Sequence, residues 1–171
     1  ALNPHQGSIL QADAALSEKA ILSDQRFLRL AAKYQHWFPL TKQDSFILRL
    51  EGGQVLAPDE TGIPEEYLFR TGGASTVRGY AYQSIGVPVQ GAVTGGRVML
   101  VVSAEAVHWL NASWGVAAFA DAGDATGIWR DLNLKKSAGG GLRYRTPAGP
   151  VALDLGYALK TRRARLDFSI A

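Results

Sequence analysis

"GPVALDLGYAL", Gly149 to Leu159, alternates with a period of two. Val151, Leu153, Leu155, Tyr157 and Leu159 fall on one side, and Ala152, Asp154, Gly156 and Ala158 on the other. Successive strand side chains point to opposite faces, so this spacing specifies a strand with one apolar face and one that mixes small residues with a charge. The division recurs outward along the chain. "RARLDFSIA" sets Leu166, Phe168 and Ile170 against Arg165, Asp167, Ser169 and Ala171. "GSILQADAAL" sets Leu10, Ala12, Ala14 and Leu16 against Gln11, Asp13 and Ala15, and "SFILRLEGG" sets Phe46, Leu48 and Leu50 against Arg49 and Glu51. Eight such segments are expected, at 7–17, 25–38, 44–56, 96–110, 114–125, 135–146, 149–159 and 163–171.

The connections alternate in character. "FPLTKQD", "LNAS" and "TPAGP" are short and turn-like. "SEKAILSDQ", the 57–95 segment and "DATGIWRDLN" are long, and "KTRR" is short but strongly basic. Tight turns at one rim and long loops at the other suit an up-and-down transmembrane β-barrel, and tilted strands of this length can cross a bilayer. A soluble lipocalin-like barrel or a sandwich carries the same alternation with the apolar face inward, so periodicity alone leaves both open. Two features favour the membrane barrel. The polar faces hold many Ala, Gly and Ser residues beside isolated charges, which suits a crowded lumen. Trp37, Phe38, Trp109, Trp114 and Tyr144 lie near strand ends in the manner of interfacial girdles.

Composition sets outer limits. The 171 residues suffice for one domain, and a formal charge of +3 gives no reason to expect nucleic acid as a partner. There is no cysteine, hence no disulfide or thiolate metal site. His5, His36 and His108 are not at metal-ligand spacing. Asp121 and Asp124 flank Gly123 without any calcium-loop pattern, and "GGGLR" lacks the Lys-Ser/Thr of a phosphate loop. No nucleophile elbow is present. The expectation is a protein that is not an enzyme and uses no cofactor or metal. The run Lys160 to Arg165, with Lys160, Arg162 and Arg163 at its tip, reads either as a solvated hairpin loop or as a contact with lipid phosphates.

"RTGGASTVRGYAYQSIG", Arg70 to Gly86, does not fit the strand pattern. It has too many glycines for a strand and, with Val77, Tyr80, Tyr82 and Ile85, too much apolar content for a solvated loop. Together, "FRTGGASTVRGYAYQSIG", "FADAG", "GGGLRYRTPAGPVALDLGYAL" and "RLDFSIA" resemble the C-terminal half of the TamA-type barrels. These belong to a superfamily shared with BamA and the two-partner transporters. "VRGY" followed by "FADAG" carries the resemblance. The flanking "RTGG" and "AYQSIG" favour the TamA type over its cousins, and "NPHQG" resembles the start of a mid-barrel strand.

The resemblance implies a sixteen-stranded barrel preceded by POTRA domains. The eight strands here are then half of one, in a fragment or a short relative, with 57–95 as a long outer-rim loop. Otherwise they close a small barrel, or pair between copies through the edge strands 7–17 and 163–171. It further implies that Val77, Arg78, Gly79 and Tyr80 fold back into the lumen, where the segment's aromatics pack. Gly72 and Gly73 would permit the fold-back. Arg78 would meet Asp121 of the wall motif Phe119, Asp121 and Gly123, with Glu105 and Asp154 as rival partners. The implied function is an insertase for β-barrel or autotransporter substrates in the bacterial outer membrane. Its implied partners are outer-membrane lipid, unfolded outer-membrane proteins and a TamB-like periplasmic protein. A pore of the two-partner secretion type, or a soluble β-binding module, is the alternative.

Overall fold

The computed structural model of the chain describes residues 6–18, 26–58 and 62–170. The strands are β1 (Gly7–Ser17), β2 (Phe27–Pro39), β3 (Asp44–Leu56), β4 (Val87–Val89), β5 (Ala92–Thr94), β6 (Val98–Trp109), β7 (Trp114–Thr126), β8 (Lys135–Thr146), β9 (Gly149–Ala158) and β10 (Arg163–Ile170). Eight of them form one antiparallel sheet in the order β1-β2-β3-β6-β7-β8-β9-β10, the meander expected from the alternation. Strand ends shift from expectation by one or two residues, the usual uncertainty of a fraying end. The "NPH" of the opening motif and most of the "SEKAILSDQ" connection lie outside the described residues. The sheet is open, with β1 and β10 at its edges.

The two faces have the polarity of a membrane wall. Leu153, Leu155, Tyr157, Leu166, Phe168 and Ile170 all point outward, with Leu155 52% and Phe168 63% exposed. Ser103, Asp121, Asp154 and Asp167 point inward and are buried. A soluble barrel or sandwich requires the reverse, because water rewards polar exteriors. Leu155→Arg at mid-strand is therefore expected to cost about 2–4 kcal/mol of stability in a bilayer. Urea unfolding of the full-length protein in lipid vesicles measures it.

What fills the concave side is the connection between β3 and β6. Within it β4 and β5 form a hairpin whose turn residues, Gln90 and Gly91, have φ of 48° and 81°, as two-residue hairpin turns demand. Main-chain bridges join Phe69 to Gly96 and Thr71 to Ile85, closing the loop on itself and fixing it to the sheet. Phe69, Val77, Tyr80 and Ile85 of the loop pack with Phe27, Val55, Met99, Val101, Ala125 and Ala158 of the wall. The main core is thus loop against wall.

Two aromatic expectations need correcting. Trp109 is not in an outward girdle: it is buried on the inner face with Val107 and Ala117, and Arg145 stacks 3.8 Å from its ring centre. Its position near a strand end gave the right height but the wrong side. Trp37 is paired in register with Ile47, which packs on that same inner cluster, so alternation turns it inward too. Trp114 and Tyr144 do lie outside, in contact with each other.

Candidate functional site: a loop arginine on an acidic wall

Gly72, Gly73 and Gly79 have φ of 108°, 112° and 89°, a region that other residues avoid. The turn before Arg78 is tied by Thr76 N donating to Gly73 O and Gly73 N to Val77 O. The loop then presses its backbone onto the sheet. Phe119, Gly139 and Gly156 are successive cross-strand partners on β7, β8 and β9. They form a trough, one aromatic ring followed by two positions without side chains. A Cβ placed on Gly156 would lie 2.7 Å from Gly79 N, and one on Gly123 would lie 2.7 Å from Val77 Cγ2. The "VRG" tripeptide therefore lies where "FADAG" and "DLGYA" each leave a gap.

Arg78 is 4% exposed and Asp121 2%. The guanidinium grips Asp121 in a fork, Nε to Oδ2 at 2.8 Å and NH2 to Oδ1 at 2.9 Å, while the Arg78 backbone N–H donates to Oδ2 at 3.1 Å. NH1 also donates to Glu105 Oε1, and to Asp154 Oδ2 at 3.2 Å. NH2 reaches Ser103 Oγ at 3.3 Å, and Ser103 itself donates to Asp121 Oδ1 at 2.6 Å. The cation sits 3.6 Å from the centre of the Phe119 ring, a favourable electrostatic contact with the ring face. Burial disfavours the charge on Arg78, but Asp121 and then Glu105 outweigh it and raise its pKa above the ordinary value. Asp121 and its two rivals are all partners at once.

Arg143, on β8, completes the cluster. It bonds Asp154 Oδ1 at 2.6 Å through NH1 and Glu105 Oε1 at 2.9 Å through NH2. Two guanidiniums are thus interleaved with three carboxylates. A buried charge is tolerable only when paired and hydrogen-bonded in this way. Asp167 of β10 pairs with no arginine among the described residues. It accepts from Gly79 N at 2.9 Å, holding the residue after Arg78. Tyr80 donates its hydroxyl to Lys136 O at 3.0 Å, and Lys160 N donates to the same hydroxyl at 3.3 Å.

The other sites expected from sequence are placed elsewhere. The side chains of Lys160, Arg162 and Arg163 are exposed at the β9–β10 turn, where the Lys160 backbone N–H donates to Tyr80 of the loop. Tyr82 is 76% exposed and does not pack against the wall, so Tyr80 is the buried tyrosine of the pair. Asp124 faces away from Asp121's cluster, bonding Asn133 N at 2.8 Å and Lys135 Nζ at 2.7 Å. Arg143, Asp167, Ser103 and Gly156 were missed in the sequence. Each is a polar or side-chain-free position on the inward parity of its strand, and that parity was the signal available.

An apolar outer belt, a polar inner wall and a loop pinned across that wall define a segment of a transmembrane β-barrel. Residues 1–170 match the Omp85 superfamily domain, and the chain belongs to that superfamily of bacterial outer-membrane proteins. It is 28% identical to the outer membrane protein assembly factor BamA of Nitratidesulfovibrio vulgaris, covering 98% of this chain and 23% of that protein. Its fold resembles the crystal structure of BamA from Haemophilus ducreyi lacking POTRA domains 1–3, with a TM-score of 0.76 at 18% identity. That match covers 98% of this chain and 37% of the crystallised one. The chain spans about a quarter of the curated relative's length.

Proposed function

We propose that residues 1–171 form the loop-bearing half of the barrel of an outer-membrane protein assembly factor, with the 57–95 loop entering from the outer rim. The observation that carries this reading is the pinned loop. A segment folded onto the concave wall and held at Arg78 by three carboxylates obstructs a lumen, as suits a factor that acts on the bilayer and on substrate strands. Strands entering lipid unpaired expose backbone groups that nothing satisfies. A barrel seam that opens in the membrane would offer such groups partners. The substrates are unfolded β-barrel or autotransporter chains. The "RTGG" and "AYQSIG" flanks favour a TamA-like role with a TamB-like periplasmic partner.

The test is reconstitution of the full-length protein in lipid vesicles with an unfolded β-barrel substrate. Folding of the substrate, read by heat-modifiable gel mobility, is expected to accelerate over empty vesicles. Planar bilayers containing the protein are expected to carry little steady current. Steady conductance without acceleration would favour a two-partner secretion pore instead.

A further inference from the structure

Arg49 lies on the inner face of β3, directly opposite Ser103 of β6, which is in turn opposite Asp121 of β7. Glu105 is the diagonal neighbour of Arg49 across the same strand pair, because Ile47 is its direct partner. Diagonal and next-strand distances are about 7–10 Å between backbones, within the span of a long side chain. Yet Arg49 uses little of its capacity. NH2 donates to the loop carbonyl of Thr76 at 3.3 Å, while its buried Nε has no hydrogen-bond partner among the described residues. The charged groups around it on the same face are the carboxylates of Glu51, Glu105 and Asp121 and the Arg78 guanidinium that Asp121 and Glu105 hold. A half-buried guanidinium thus keeps an idle N–H on the face that carries Asp121 and Glu105, whose oxygens are taken by Arg78. Native structures leave such groups idle only at a cost in stability.

We propose that Arg49 is the reserve counter-ion of this site. When the Arg78 guanidinium is withdrawn, Arg49 swings from Thr76 O onto Asp121 and Glu105, so the wall is never left with unpaired acids. Arg49 is a positioning residue here, and the proposal rests on the pinned-loop reading of the site. Its readout is stability, so it fails independently of any insertion activity.

The experiment is a double-mutant cycle in the full-length protein, refolded in detergent, with the melting of heat-modifiable mobility as the measure. Arg49→Gln alone loses one weak hydrogen bond and is expected to shift the midpoint little. Arg78→Gln alone is expected to be buffered by Arg49. Together they are expected to lower the midpoint by clearly more than the sum of the two shifts. Arg49→Lys in the Arg78→Gln background is expected to recover part of the loss, since it keeps a charge. Adding Asp121→Asn to the double variant is also expected to recover part of it, by removing an unpaired acid. Additive shifts, or no recovery from either added change, would overturn the proposal. If the double variant does not refold, refolding of the Asp121→Asn triple variant counts for the proposal and its failure counts against.

Discussion

Arg78→Glu is expected to release the loop from the wall, at a cost of about 3–5 kcal/mol, the order found when a buried pair is broken. The substitution removes the fork onto Asp121 and adds a fourth carboxylate to a site already holding Asp121, Glu105 and Asp154. Arg143 cannot offset it, since it already serves Glu105 and Asp154, and Arg49, even when drawn onto Asp121 and Glu105, leaves the introduced carboxylate without a cation. Asp121→Arg is expected to be comparably damaging, because it places a further cation against Arg78 and removes the acceptor of Ser103 Oγ and Arg78 N. Combined, the two reversals re-create an opposed pair and are expected to recover a substantial part of the lost melting temperature. A double variant no better than either single one would show that direct pairing is not what holds the loop.

The second large effect is steric. Gly156→Val is expected to push the "VRG" backbone off the trough. A Cβ there would sit 2.7 Å from Gly79 N, 2.9 Å from the Arg78 carbonyl carbon and 3.0 Å from Gly79 Cα. Backbone atoms cannot rotate away as side-chain ends do, so the loop must lift, at the order of about 1–3 kcal/mol typical of overpacking. Lifting also lengthens the Gly79 N–H contact with Asp167 and the bonds of Arg78 to Asp121. Gly52→Val is the control. A Cβ at Gly52 would be in ordinary contact, 3.8 Å from Met99 O. Protease cleavage within residues 70–86 is expected to accelerate in Gly156→Val and to stay near wild type in Gly52→Val.

Strand order and the sidedness of each wall segment were legible in the sequence. In "GPVALDLGYAL" period two fixes which residues share a face, and burying either face gives the same strand. What alternation does not contain is which face meets lipid. The structure supplies it by turning Leu155 out and Asp154 in. The meeting of Arg78 with Asp121 came from the family resemblance, since the two residues are 43 positions apart and no local rule links them. Arg143 was hidden for a different reason. Its partner strand shows the pairing only once the β8–β9 register places Arg143 opposite Ala152, diagonal to Asp154. Trp109 misled because height along a strand and side of the sheet are independent. One residue of register decides the second.

The chain contains no cysteine, which allows a direct proximity measurement of the loop on the wall. Val77→Cys and Gly123→Cys, introduced together in the full-length protein, place two thiols at the point where Val77 Cγ2 now fills the gap over Gly123. Disulfides form only when Cβ atoms come within about 3.5–4.5 Å. With the loop seated, mild oxidation in the native outer membrane is expected to link the two residues in most molecules. Adding Arg78→Glu is expected to reduce that yield sharply. A 77–123 link that fails to form in otherwise folded protein, or one that forms equally well with Arg78→Glu, would mean that Arg78 does not pin this loop to this wall.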